Sequence, residues 1–258
     1  MASKSWIIKP DMTEADQNLL SDVHVVLLRP RWARNLGSVA RAMKNFGLQK
    51  LTLVDSKIGS WNDAYQMAVH AGDILDNAAT GQLAEALAPS TWIVGTSNNP
   101  PPGTRQMTPR EVAEEAVARG APTLLFGGEI HGLDPAEMLR CHVVSCVPTA
   151  PEQSSLNLAH AVCVYGAELF AAHELATEPS ATETGGEEEE EGEEALVSTE
   201  ILQRLEAALQ KLLENSAWSR ADRPKNSIAA LMQPLYRAQL TEKEARAWLV
   251  ALGKALPR

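Results

Sequence analysis

Five short runs, apolar at nearly every position, constrain this chain more than any other feature: His24 to Leu28, Leu51 to Val54, Trp92 to Gly95, Thr123 to Phe126 and His142 to Val147. A strand with one face in water alternates polar and apolar residues, whereas a continuously apolar run is buried on both faces. Amphipathic stretches at 38–46, 63–71, 82–88, 109–118 and 135–139 separate the runs. That alternation predicts an α/β fold with a mostly parallel sheet and helices on both faces.

After the fifth run, Leu156, Ala159, Val162, Val164, Ala167 and Phe170 keep helical spacing until Thr177. The pattern predicts a long helix starting just past Ser154 and Ser155, either of which can cap its first N–H groups. Residues 179–194 hold eight glutamates and no Lys, Arg or His. Such a segment buries too little apolar area to order itself. The chain therefore divides into an N-terminal extension (1–22), an α/β domain (23–177), an acidic flexible linker (178–196) and a small C-terminal bundle of three helices (197–258).

The net charge of −10 argues against a polyanionic partner, but its distribution argues otherwise. Much of the excess is the glutamate run, while residues 195–258 are net basic. Arg29, Arg31, Arg34, Arg41 and Lys44 fall within a stretch that contains no acid. A local patch of that kind grips phosphates whatever the overall sign. No run of about 18 apolar residues is present, so no membrane-spanning helix is expected. The first residues lack a signal-peptide core, and Cys141, Cys146 and Cys163 fit neither a disulfide framework nor a zinc spacing. Reduced thiols in a cytoplasmic protein without a structural metal are expected.

Three segments stand where predicted strands give way to helices: Asn35-Leu-Gly-Ser-Val-Ala-Arg41, Phe126-Gly-Gly-Glu-Ile-His-Gly132-Leu and Glu152-Gln-Ser-Ser-Leu-Asn157-Leu-Ala. Ligand sites of open α/β sheets form at such junctions. The Gly and Ser content of the last two lets backbone groups approach a ligand closely. Arg41, Glu129, Ser155 and Asn157 remain free for chemistry. Taken one at a time, Asn35, Ser155 and Asn157 also read as helix caps, Glu129 as a capping carboxylate, and Arg41 as a solvated surface charge. His131 reads as a surface histidine.

Together the three segments resemble the three motifs of the SPOUT-class RNA ribose 2′-O-methyltransferases, most closely the TrmJ branch of the TrmH family. The resemblance runs from about Val23 to Ala176 and continues more weakly from Val197. It implies a C-terminal trefoil knot in the α/β domain, which nothing in composition predicts. It implies S-adenosylmethionine as cofactor, held by Thr96, Ser97, Asn98, Gly127, Val147, Ser154, Ser155 and Leu156. It implies methylation of a tRNA ribose, at cytidine or uridine 32 of the anticodon loop. It places Arg41 closest to the chemistry, with Asn35, Glu129, Ser155 and Asn157 around it, and Arg29, Arg31, Arg34, Lys44 and Arg105 on RNA. It further implies a homodimer in which one subunit's Arg41 meets the other's cofactor, with the long helix after Ser155 at the interface. The basic C-terminal bundle, with Arg220, Arg223 and Lys225, is expected on tRNA.

The match departs from the family at three places. Gly128 stands where close relatives have Arg, Gln153 stands where an aromatic is common, and Asn98-Asn-Pro-Pro-Pro-Gly103 replaces a basic loop. All three bear on substrate grip, so two alternatives stay open: an RNA-binding protein of the same fold without methyl transfer, and a methyltransferase of another RNA such as rRNA. A dinucleotide-dependent oxidoreductase is excluded, because Pro30-Arg31-Trp32-Ala33-Arg34 follows the first strand where a G-x-G-x-x-G turn is required.

Overall fold

The computed structural model describes residues 18–177, 197–214, 228–238 and 240–255. The acidic linker, most of the N-terminal extension, and Arg220, Arg223 and Lys225 lie outside the described residues. The apolar runs become strands β1 (His24–Leu28), β2 (Lys50–Val54), β4 (Ile93–Thr96), β6 (Thr123–Gly127) and β7 (Val143–Ser145). Two strands escape the sequence reading, β3 (Ala79–Gly81) and β5 (Gln106–Met107). Both are edge strands too short to show a pattern, and each exists because a longer neighbour offers unpaired backbone. All pairings are parallel, in the order β3-β2-β1-β6-β4-β7-β5.

The pleat explains why the runs are apolar throughout. In β1, Val25 and Leu27 enter one core while Val26 and Leu28 enter the other. In β6, Leu124 and Phe126 enter the first and Leu125 the second. The larger core is roofed by α2 (Ala33–Asn45), α3 (Asn62–Ala68), α4 (Gly72–Asp76), α6 (Pro109–Arg119) and α8 (Leu158–Thr177). The smaller core is roofed by α5 (Leu83–Leu87) and α7 (Pro135–Met138). Helices on both faces follow from alternate residues on every central strand needing cover.

Two helix starts differ from their expected positions. The first-motif helix, α2, begins at Ala33 and not at Ser38, which puts Asn35 in its first turn. Its N-cap, Trp32, makes no side-chain cap, and the carboxylate of Glu129 takes the N–H groups of Arg31 and Trp32. A cap supplied from about a hundred residues away leaves no local signal. The last-motif helix, α8, starts at Leu158, and its cap is Asn157, whose Oδ1 accepts from the Ala159 N–H at 2.9 Å. Ser154 and Ser155 stand in the loop before it and cap nothing. The short α1 (Asn18–Asp22) and α4 carried too few residues to be read from periodicity.

The C-terminal stretch forms the three expected helices, α9 (Thr199–Glu214), α10 (Ile228–Arg237) and α11 (Glu242–Ala255). They enclose a core of Leu202, Leu205, Met232, Tyr236, Leu240 and Ala245. The helices are docked on the α/β layers. Thr199 and Glu200 donate backbone N–H groups to the carbonyls of Ser90 and Ala88 at 2.6 and 2.8 Å, and Arg140 pairs with Glu206 at 2.8 Å. Tyr236 meets the His142 ring edge to face, with centroids 5.5 Å apart. Burial, with Arg119 nearby, pushes the His142 pKa down to about 3, so the neutral ring accepts from the Ile93 N–H.

Candidate active site

The strand order reverses across β1 and β6, and the loops leaving the carboxyl ends of β1, β4, β6 and β7 meet above that point. The second and third sequence motifs lie on these loops, and the first opens α2, the helix that follows β1. A chain of side-chain hydrogen bonds ties them together. Asn157 Nδ2 donates to Asn35 Oδ1 at 3.0 Å, and Asn35 Nδ2 donates to Glu129 Oε1 at 3.1 Å. Glu129 accepts in addition from the backbone N–H of Arg31 at 3.0 Å and of Trp32 at 3.3 Å. One carboxylate therefore locks the start of α2, and one amide pair locks α8 to it. Arg41 stands six positions beyond Asn35, roughly 9 Å along the helix. It is exposed, and no hydrogen bond or ion pair engages its side chain among the described residues.

The model of the SpoU rRNA methylase family matches residues 22–166, more than half of the chain. The chain belongs to the SpoU methylase family. The tRNA (cytidine/uridine-2′-O-)-methyltransferase TrmJ of Escherichia coli K12 is 34% identical over 88% of this chain and 92% of its own. The tRNA (cytidine-2′-O-)-methyltransferase TrmJ of Methanocaldococcus jannaschii is 36% identical over 57% of this chain and 67% of its own. Among solved structures, TrmJ from Z. mobilis ZM4 superposes with a TM-score of 0.73 at 26% identity, over 90% of this chain and 98% of that one.

In this SpoU methylase the polar groups of the loops after β4 and β7 hold each other. Asn98 Nδ2 donates to the carbonyl and the hydroxyl of Ser154, both at 3.2 Å. Thr96 Oγ1 donates to the Leu125 carbonyl at 3.0 Å, and the Ser97 N–H to the Ser145 carbonyl at 3.0 Å. Gln153 Nε2 donates to Ser155 Oγ at 3.1 Å. Val147 packs against the larger core, and Leu156 is 40% exposed. The side chains fix the loops to one another, and the apolar Leu156 stays partly exposed beside them.

Gly127 and Gly128 explain one departure from the family. A Cβ on Gly127 would lie 2.0 Å from the Gly132 carbonyl carbon, and one on Gly128 would lie 2.4 Å from the Arg29 carbonyl oxygen. Arg29 turns through a left-handed conformation, φ 58°, at the end of β1, and that turn brings its carbonyl against Gly128. No side chain fits at 128 here.

The RNA-facing candidates separate into two groups. Arg29 braces the loop after β6: its guanidinium binds Glu137 in a fork at 2.5 and 2.9 Å and reaches the Gly132 carbonyl at 3.3 Å. The Glu137 carboxylate raises the Arg29 pKa above its ordinary value. The signal, an acid three residues after Asp134 in a capping box, marked Glu137 for its own helix only. Lys44 pairs with Asp73 at 2.5 Å and Arg105 with Glu115 at 2.7 Å, both on the surface where such pairs exchange readily for other anions. Arg31 and Arg34 are exposed and, with Arg41, unpaired among the described residues. His131 stays on the surface. A cleft of about 700 Å³ lined by His24, Lys44, Lys50 and Asp73 opens at the opposite ends of the strands and touches none of the motifs.

Glu129 is the hub of this arrangement, so its loss has a defined outcome. Glu129→Ala leaves two backbone N–H groups and the Asn35 amide without their acceptor, an expected loss of about 1–3 kcal/mol. A fall of a few degrees in melting temperature, with methyl transfer reduced more than tenfold, is expected. An unchanged melting curve and unchanged turnover would show that the carboxylate organises nothing.

Proposed function

We propose that this chain transfers a methyl group from S-adenosylmethionine to a ribose 2′-hydroxyl of tRNA, at cytidine or uridine 32 of the anticodon loop. The observation behind the proposal is the hydrogen-bonded chain Asn157–Asn35–Glu129, which joins all three motifs and leaves Arg41 free two turns along α2. The TrmJ relatives supply the substrate class. Thr96, Ser97, Asn98, Gly127, Val147, Ser154, Ser155 and Leu156 would hold the cofactor, chiefly by backbone groups beside the exposed Leu156. The bound cofactor supplies an electrophilic methyl on sulfur.

The chain's own residues supply position. The 2′-oxygen must lie in line with the bond being broken and must lose its proton. A guanidinium in general keeps its proton, so the acceptor of this one lies elsewhere and Arg41 is given another task. It clamps the adjacent phosphate through two parallel N–H donors and orients the hydroxyl, while the proton leaves to water or a phosphate oxygen. Arg31 and Arg34 hold neighbouring phosphates, and Lys44 and Arg105 join them on exchange of their surface partners.

The Arg41 side chain has no partner among the described residues, which supports a homodimer in which it faces the other subunit's cofactor loops. The composition of α8 supports the same reading, since apolar Leu175 is 72% exposed and Ala171 and Ala176 are exposed beside it on this largely apolar helix. The interleaved order β6-β4-β7-β5, with each connection passing over a strand laid down earlier or later, supports a knotted terminal segment. No described helix is long and apolar enough to cross a membrane, and a tRNA substrate supports a cytoplasmic place.

Calorimetric titration with S-adenosylmethionine, then labelled-methyl incorporation into bulk tRNA with mapping of the nucleotide, tests the proposal. Binding followed by label at nucleotide 32 is expected. Label in rRNA alone would move the substrate, and tRNA binding with no label under any condition would leave a binding protein.

A further inference from the structure

We infer that Trp32 is a stacking platform for an unpaired base of the RNA, beside the ribose that Arg41 orients; the inference rests on the tRNA reading above. Trp32 precedes α2 with its side chain 53% exposed. A lone exposed aromatic is ordinary. Three observations distinguish this one. Its backbone N–H is held by Glu129, the same carboxylate that holds Asn35, so the indole rises from a fixed point of the motif cluster. Arg31 and Arg34 stand one position before it and two after it in the chain, both exposed and with side chains that have no partner among the described residues. Its backbone is extended, φ −106° and ψ 117°, before a helix that begins at the next residue, so the turn has little freedom to swing.

An aromatic face between free cations is the combination that grips single-stranded nucleic acid: the cations take phosphates, and any base finds a face to stack on. Trp248, 49% exposed on α11, lacks that setting, because the neighbouring Arg246 is tied to Glu242. Trp92, by contrast, is buried at 1% and spent on the core. The occupant of Trp32 is therefore an unpaired base, and the anticodon loop offers such bases next to the target.

Trp32→Ala, Trp32→Phe and Trp32→Leu separate stacking from apolar bulk. For Trp32→Ala, tRNA affinity is expected to fall about 10- to 100-fold, with a matching rise in KM for tRNA, a smaller change in kcat, and unchanged affinity for S-adenosylmethionine. Trp32→Phe should recover most of the loss and Trp32→Leu little of it. The side chain is exposed, so all three should melt with the wild type. Trp32→Ala binding tRNA within twofold of wild type would overturn the inference, as would Trp32→Leu matching Trp32→Phe. A wild type that binds tRNA without methylating it, yet weakens on Trp32→Ala, would retain the platform and discard the enzymatic reading. Full methylation by Trp32→Ala would do the reverse.

Discussion

Arg41→Ala is expected to lower methyl transfer to tRNA by about 10²- to 10³-fold while leaving cofactor affinity and melting temperature unchanged. The magnitude follows from its proposed role: losing a group that holds the acceptor within attack distance costs about a hundredfold when the acceptor drifts by an ångström. The absence of a structural effect follows from its surroundings, since the Arg41 side chain is exposed and bonded to nothing among the described residues. Arg41→Lys keeps the charge and loses the fork, so an intermediate rate is expected. A lysine variant turning over at the wild-type rate would replace the bidentate clamp with a simple field effect. If Arg41 serves the partner's site, mixing Arg41→Ala with a variant damaged only in the cofactor loops should restore part of the activity through mixed dimers.

Gly37→Ala is expected to destabilise the protein by about 2–3 kcal/mol and to lower activity at the same time. Helix propensity alone points the other way, because alanine in a helix interior is favoured over glycine by roughly 1 kcal/mol. Packing wins here. A Cβ at position 37 would lie 2.0 Å from the Ala64 carbonyl oxygen and 2.8 Å from Met67 Cβ, where α2 and α3 touch. Neither neighbour is the free end of a flexible side chain, so α2 itself must shift, an overpacking cost of about 3–4 kcal/mol, above the usual range, which leaves about 2–3 kcal/mol after the propensity gain. For a chain of this size that is a fall of roughly 5–10 °C in melting temperature. Since α2 carries both Asn35 and Arg41, the displacement reaches the site. A variant as stable as wild type would show that the two helices can part without strain.

The glycine of the first motif illustrates how much of the site was legible. Its presence between Asn35 and Arg41 supported the family resemblance, but its reason, the close crossing of α2 over α3, belongs to a contact between distant residues. Glu129 is a similar case. As a sequence position it was a carboxylate near a helix start, and it does cap a helix, but α2, whose start lies ninety-odd residues upstream in the chain. Arg29 was read with the basic cluster because adjacency in sequence suggested one patch. Its carbonyl and guanidinium are both engaged in the loop after β6, which leaves Arg31, Arg34 and Arg41 as the free set.

Local chemistry alone determined the alternation of buried strands and amphipathic helices, the parallel sheet and the three loops on which a site could form. Those features depend on the burial of residues near one another in the chain, and periodicity records burial directly. Tertiary structure decided the strand order, the two edge strands, the far-side cap on α2, the docking of α9–α11 and which arginines stay unpaired. Each of these is a pairing between groups whose separation in sequence is large, chosen by shape and by the need of buried or helix-end polar groups for a partner, and no local pattern encodes that choice.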